Sequence, residues 1–225
     1  MAEPGLNIVL PKKLTVILDT SAFSSPEGLT DWRVLSSPQF DNERSRLYAL
    51  NEVLYPQANW FLTCGVKNEF EGGNVMLGRL IQEERLENKV KLKAMRGLLE
   101  ERKRTYRMMM GRDRILCWSF DPRYLERAWD YYRYVMEIFL KNGGHQNNSQ
   151  TDVFMASVAV AHATDHPTYV LSHDYSLVTA FALESVRVGA RNAAVIDEKI
   201  GRTFKVDKWL RYHKLGRLID DSKPI

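Results

Sequence analysis

The chain has 225 residues, of which 44% are hydrophobic and 27% charged, a composition that excludes a disordered or collagen-like chain and is sufficient for a substantial core. No apolar run reaches the roughly 20 residues needed to span a bilayer, and the opening "MAEPGLNIVLPKK" lacks the basic, apolar and small-residue order of a signal peptide, so a cytoplasmic protein with no membrane partner is expected. The net charge is +4, but residues 75–114 hold 12 Lys/Arg against 6 Asp/Glu, which leaves the remainder at −2.

In chain order, Leu14–Leu18 reads as a buried strand: a short β-branched and aliphatic run bounded by Pro11 and by a Thr/Ser/Pro cluster. Pro26, Gly28 and Pro38 mark a loop, and a helix is predicted over about 43–55, with Leu47, Leu50 and Leu54 on one face and Pro56 as its stop. "NWFLTCGV" is a second strand candidate. A long helical stretch, about 75–110, follows, with Gly97 as its weakest point. "DPRYLERAWDYYRYVMEIFLKNGG" is the clearest helix, with Asp121 to cap it, Pro122 in the first turn and Gly143-Gly144 at the exit. Its apolar face of Leu125, Ala128, Trp129, Tyr132, Val135, Met136 and Phe139 is expected to pack on the preceding helix. The two would form a basic helical hairpin, residues 74–144, inserted into an α/β body of residues 1–73 and 145–225. A small-residue helix from "TDVFMASVAVAHATDH", a strand "TYVLSHD", a helix over about 176–186, a strand "AAVID" and a basic tail complete the chain. Alternating strands and helices predict a mostly parallel sheet flanked by helices. Cys64 and Cys117 stand singly in apolar surroundings and are read as buried free thiols.

In such a sheet, ligands bind along the edge where the parallel strands end. Asp19 ends the first strand and Asp174 follows a later one; Asp152 stands in the first turn of the central helix, and Glu69 follows the second strand with Glu71 as its competitor. Capping explains an aspartate in a first helical turn equally well, but a charge ending a buried strand needs a partner. Carboxylates gathered at one edge repel unless a cation lies between them, and an all-oxygen ligand set selects a hard ion such as Mg²⁺ or Mn²⁺. The reaction this chemistry suits is metal-assisted phosphodiester hydrolysis by Asp19, Glu69, Asp152 and Asp174. Thr20, Ser21, Asn148 and Ser172 are candidates to support those ligands. Lys91, Lys93, Arg102, Lys103 and Arg104 are candidates to grip an RNA backbone. His173 neighbours Asp174 on the opposite side of an extended chain and is read as structural.

The segments "VILDTSAF", "VKNEFEG", "QTDVFMASVAVAHA" and "YVLSHDYSL" resemble, in that order, the motifs of the PIN-domain nucleases. The resemblance covers roughly residues 14–73 and 145–197. It implies a PIN-like fold, Mg²⁺- or Mn²⁺-dependent endoribonuclease activity, and metal ligation by Asp19, Glu69, Asp152 and Asp174. "LDTSAFSSPEG", together with the basic insertion, is similar to the small protein-only ribonuclease P homologues, also known as RNA ligase partners. Their likeness would add 5′ maturation of precursor tRNA and a homo-oligomeric assembly. Two other readings compete: a toxin-type PIN ribonuclease restrained by an antitoxin, and a non-catalytic PIN-like scaffold that binds RNA.

Overall fold

The computed structural model describes residues 14–24, 32–84, 88–110, 120–144, 150–198 and 202–215. Five strands, β1 (Leu14–Leu18), β2 (Ala58–Phe61), β3 (Thr168–Leu171), β4 (Ala193–Asp197) and β5 (Arg202–Lys205), form one sheet in the order β2-β1-β3-β4-β5. All pairings are parallel except β4 with β5. Seven α-helices accompany it among the described residues: α1 (Ser37–Gln57), α2 (Cys64–Glu83), α3 (Lys89–Met109), α4 (Pro122–Lys141), α5 (Gln150–Ala163), α6 (Tyr175–Arg187) and α7 (Val206–Tyr212). The chain is therefore an α/β protein with a mostly parallel sheet. No described helix is long and apolar enough to cross a membrane.

The two-residue period of β1 divides the core. Leu14, Val16 and Leu18 join Trp60 of β2, Leu47 and Leu50 of α1, and Val66 and Phe70 of α2. Ile17 points the other way, into the cluster that holds Val170 of β3, Val195 of β4 and the buried faces of α4, α5, α6 and α7. Helix α5 is enclosed from Val153 onward apart from partly buried Phe154, which explains its freedom from charge after the first turn. At about 25 cal/mol per Å² of apolar surface removed from water, these two faces carry most of the folding drive.

The helical hairpin expected over 74–144 is not what forms. Helix α3 packs on α1 and α2, whereas α4 packs on α5 and α6, so the two helices cover opposite faces of the sheet. The proposed boundary at 73 also cuts through α2. The broad apolar face of α4 was legible, but its partner was not: Ala128, Val135 and Phe139 meet the α5–α6 layer.

Other boundaries moved for local reasons. Helix α1 starts earlier than expected because Pro38 sits in its first turn, where proline is tolerated, and the Gln39 side chain accepts from the Ser36 N–H at 2.8 Å, half of a capping box. Pro56 lies in its last turn. Strand β2 is short because Thr63 already caps α2, its Oγ1 accepting from Val66 N at 3.2 Å. The stretch 75–110 is two helices: α2 ends at Glu83 and Asn88 caps α3. Gly97 lies inside α3, where Arg44 of α1 packs so close that a Cβ would stand 3.2 Å from its Nη1. Helix α4 begins and ends as read, with the Asp121 cap and Gly143 at φ +94°. Strand β5 and helix α7 occupy what reads in sequence as a basic tail.

Candidate functional site

The C-terminal ends of β1, β2 and β3 bring the first turns of three helices or turns together. Asp19 extends the β1–β3 ladder, its N–H donating to Leu171 O at 3.2 Å. Its carboxylate is buried and accepts from Thr20 N at 2.6 Å, Ser21 N at 3.3 Å, Ser21 Oγ at 2.5 Å and Ser172 Oγ at 2.8 Å. The partner that a strand-end charge requires is thus supplied by hydroxyl and amide donors. Ser21 also holds the neighbouring loop, because its Oγ accepts from His173 N at 2.8 Å.

Glu69 lies in the second turn of α2, and its Oε2 accepts from Thr20 Oγ1 at 2.5 Å. Glu71 faces α3 instead, in a hydrogen bond with the Tyr106 hydroxyl, whose pKa is raised by burial and by that carboxylate. The competition between the two acids is decided geometrically: Glu69 belongs with Asp19 and Thr20. Asp174 caps α6, its Oδ1 accepting from Ser176 N at 2.8 Å and Leu177 N at 3.2 Å, while its own N–H donates to Ser172 Oγ at 3.0 Å. Asp152 occupies the first turn of α5 and makes no hydrogen bond through its carboxylate among the described residues. Its pKa is pushed up to about 7, first by burial and then by the negative charges of Asp19, Glu69 and Asp174. Asp152 thus lies within electrostatic reach of the other three acids at this edge of the sheet.

Helices α2 and α5 meet at Gly65, where a Cβ would lie 2.3 Å from Thr151 Cγ2. Only glycine lets the two first turns meet, and this contact sets Glu69 and Asp152 on the same rim.

Thr20, Ser21 and Ser172 therefore all touch an acid or a group that holds one; Asn148 lies outside the described residues. A second set of residues was not foreseen. Arg46 of α1 donates to Ala22 O at 2.8 Å and to Glu198 Oε2, and His173 Nε2 meets the same Glu198 oxygen at 2.7 Å. Burial raises the Glu198 pKa, but the His173 hydrogen bond and the Arg46 charge outweigh it and hold the carboxyl below its ordinary value. This buried triad ties α1, the turn after β1 and the β3–α6 loop to the end of β4. Its one sequence signal was "VIDE", a second strand ending in acids. Asp197, the other acid of that pair, accepts from Trp209 Nε1 at 3.2 Å and meets His213 Nε2 at 3.1 Å.

The expected RNA-gripping residues divide. Lys93 is exposed; Lys103 and Arg104 are exposed and paired with Glu100, Glu101 and Glu52. Lys91 is committed to Glu84 and to Arg33 O. Arg102 departs from the expectation altogether: it is 5% exposed, donates to Asn74 Oδ1 at 2.7 Å and Phe70 O at 3.2 Å, and stacks on the rings of Phe70 and Trp32. Burial lowers its pKa to about 10 despite the nearby Glu43. A charged residue in a basic run was read as surface, but its place on α3 faces α2. Cys64 is in no disulfide and is half-buried rather than buried, and Cys117 lies outside the described residues.

No protein-family model matches the chain, and no curated protein or solved structure matches it either. Among the described residues, no group of three or more His, Cys, Asp or Glu side chains is arranged so as to hold a metal ion. The four acids suit a hard divalent cation in donor type and in charge, and Asp152 has the uncompensated electrostatics that such an ion relieves. They come from four elements and are not, as they stand, gathered into a ligand set.

Proposed function

We propose that this chain is a metal-dependent endoribonuclease of the PIN type, hydrolysing phosphodiester bonds in structured RNA, with precursor tRNA as the first substrate to test. The observation that supports this reading is the raised pKa of Asp152, which burial and three further acids from β1, α2 and the β3–α6 loop produce together. Asp19, Glu69, Asp152 and Asp174 would hold Mg²⁺ or Mn²⁺, which when bound supplies an activated water and charge stabilisation at the phosphate.

The chain's own groups prepare that chemistry. Four donors fix the Asp19 carboxylate in one rotamer, and Thr20 fixes Glu69 relative to it. Ser172 spans Asp19 and the Asp174 amide, so the β1 and β3 acids move as one unit. With its pKa near 7, Asp152 holds a proton in a substantial share of molecules at neutral pH, and that proton must leave Oδ before the carboxylate can act as a ligand. On the surface, Lys93, Lys103 and Arg104 carry the positive charge of α3 that would attract an RNA backbone.

The test is cleavage of a labelled precursor tRNA and of an unrelated structured RNA with Mg²⁺, Mn²⁺ or EDTA, for wild type, Asp19→Asn and Asp152→Asn. Metal-dependent cutting that both substitutions abolish is expected, and one cut site in the precursor would favour tRNA processing. Wild-type protein that cuts neither RNA with either metal refutes the proposal.

A further inference from the structure

Trp129 of α4 is 63% exposed, an unusual position for the largest apolar side chain. Its ring does not stand alone. Tyr132 lies 5.3 Å away between centroids on the same helix, and Phe154 of α5 lies 5.0 Å away, so two further rings hold the indole in place. Beside them opens a groove of about 320 Å³, lined by Trp129, Phe154, Thr63, Gly65, Gln150 and Thr151. The groove is mostly apolar, with hydroxyl and amide groups at its margin.

Its place in the fold gives it an occupant. Thr63 caps α2, which carries Glu69, and Gly65 lies in its first turn; Gln150 and Thr151 immediately precede Asp152 on α5. The groove thus shares the N-terminal ends of α2 and α5 with Glu69 and Asp152. One turn beyond Trp129 on α4, the exposed Arg133 adds a cation suited to a phosphate. A flat aromatic face, polar groups at its edge, a cation one turn along α4 and carboxylates on the two helices that line the groove match the parts of a single-stranded nucleotide: base face, base edge, phosphate and reacting phosphodiester.

We propose that the Trp129 groove seats an unpaired nucleobase of the RNA, stacked on the indole, next to the phosphodiester presented to the acids. The substrate class narrows accordingly to RNA with at least one unpaired nucleotide beside the cut, because a base inside a duplex has no free face to offer. The inference rests on the nuclease reading for the role of the acids, but the groove's affinity for a base is independent of metal.

The test is fluorescence anisotropy in EDTA with a 5′-labelled 12-nucleotide single-stranded RNA and with the same strand in a duplex, for wild type, Trp129→Ala and Trp129→Phe. Sedimentation of each protein is measured alongside. Trp129→Ala is expected to weaken single-strand binding roughly tenfold or more, Trp129→Phe to retain most of it, and duplex binding to be the same for all three. Equal single-strand affinity in wild type and Trp129→Ala overturns the proposal. So does a change of oligomeric mass in Trp129→Ala, which would make the patch a contact between copies. Cleavage kinetics with Mn²⁺ separate the two ideas: a wild type that cuts RNA, with KM unchanged in Trp129→Ala, removes the groove and keeps the nuclease. Trp129-dependent binding without cleavage keeps the groove and removes the nuclease.

Discussion

Replacing Asp152 by Asn should stabilise the metal-free protein, and only at the upper end of the pH range. In the folded chain the Asp152 pKa is raised from 3.8 to about 7. The folded state therefore holds a proton between pH 4 and 7 that the unfolded state has released, and stability falls as pH rises through that window. Below pH 4 both states are protonated and the penalty is absent; above 7 both are ionised and it is constant. A shift of about 3 units corresponds to a ceiling of ~4 kcal/mol. The carboxylate is only partly buried, and solvent screening brings the expected gain of Asp152→Asn to about 2 kcal/mol at pH 8. Urea unfolding in EDTA at pH 4, 6 and 8 reads this directly, as a difference between the proteins that opens from near zero. Excess Mn²⁺ should then reverse the order, since an ion at 100 times its Kd adds about 2.7 kcal/mol to the protein that binds it. A stability difference that is flat from pH 4 to 8, or a wild type that is the more stable protein at pH 8 in EDTA, would refute the electrostatic reasoning.

The remaining predictions concern the supports of the site. Gly65→Ala places a methyl group against Thr151, so the first turns of α2 and α5 must separate; a loss of about 1–3 kcal/mol in thermal unfolding is expected, with reduced cleavage of the test RNA by whatever folded protein remains. Arg102→Ala strands Asn74 and the Phe70 carbonyl and empties a stacked position, so it should cost about 2–4 kcal/mol of stability without weakening RNA binding by the folded protein. Replacing Lys93, Lys103 and Arg104 by Gln should do the opposite, costing at most about 1 kcal/mol in lost surface ion pairs while flattening the salt dependence of RNA affinity. Glu198→Gln breaks the buried contact with Arg46 and His173 and should destabilise by about 3 kcal/mol near neutral pH. Because the Glu198 pKa is lowered on folding, that difference is present above its unfolded pKa and should shrink as pH falls through the folded one.

The sequence exposed those parts of the fold whose determinants are local. "TVILD" carries the alternation that splits the core and the acid that ends the strand; Asp121, Pro122 and Gly143 bound α4 by capping rules. The approach of Asp19, Glu69 and Asp174 follows once the strands are parallel, since strand ends then share an edge. What stayed hidden depends on partners distant in sequence. The amphipathic stripe of α4 does not say which helix it covers, and nothing around Arg102 distinguishes it from Lys103 until α2 is seen to lie against it. The choice of Glu69 over Glu71 required the positions of Thr20 and Tyr106. β5 has only four residues, mostly exposed, and draws its strand character from pairing with β4.

The pairing of β1 with β3 joins Ile17 to Val170 across most of the chain, and the acidic rim inherits that separation. Asp19 and Glu69 leave the ribosome before Asp174, which lies 155 positions after Asp19. At about 5–20 residues per second, the first pair would wait on the order of 10 s for the last acid. During that interval the nascent chain lacks the assembled rim. If the rim is what cuts, the nascent chain is harmless to the messenger and transfer RNAs around it until Asp174 has been made and has folded into place.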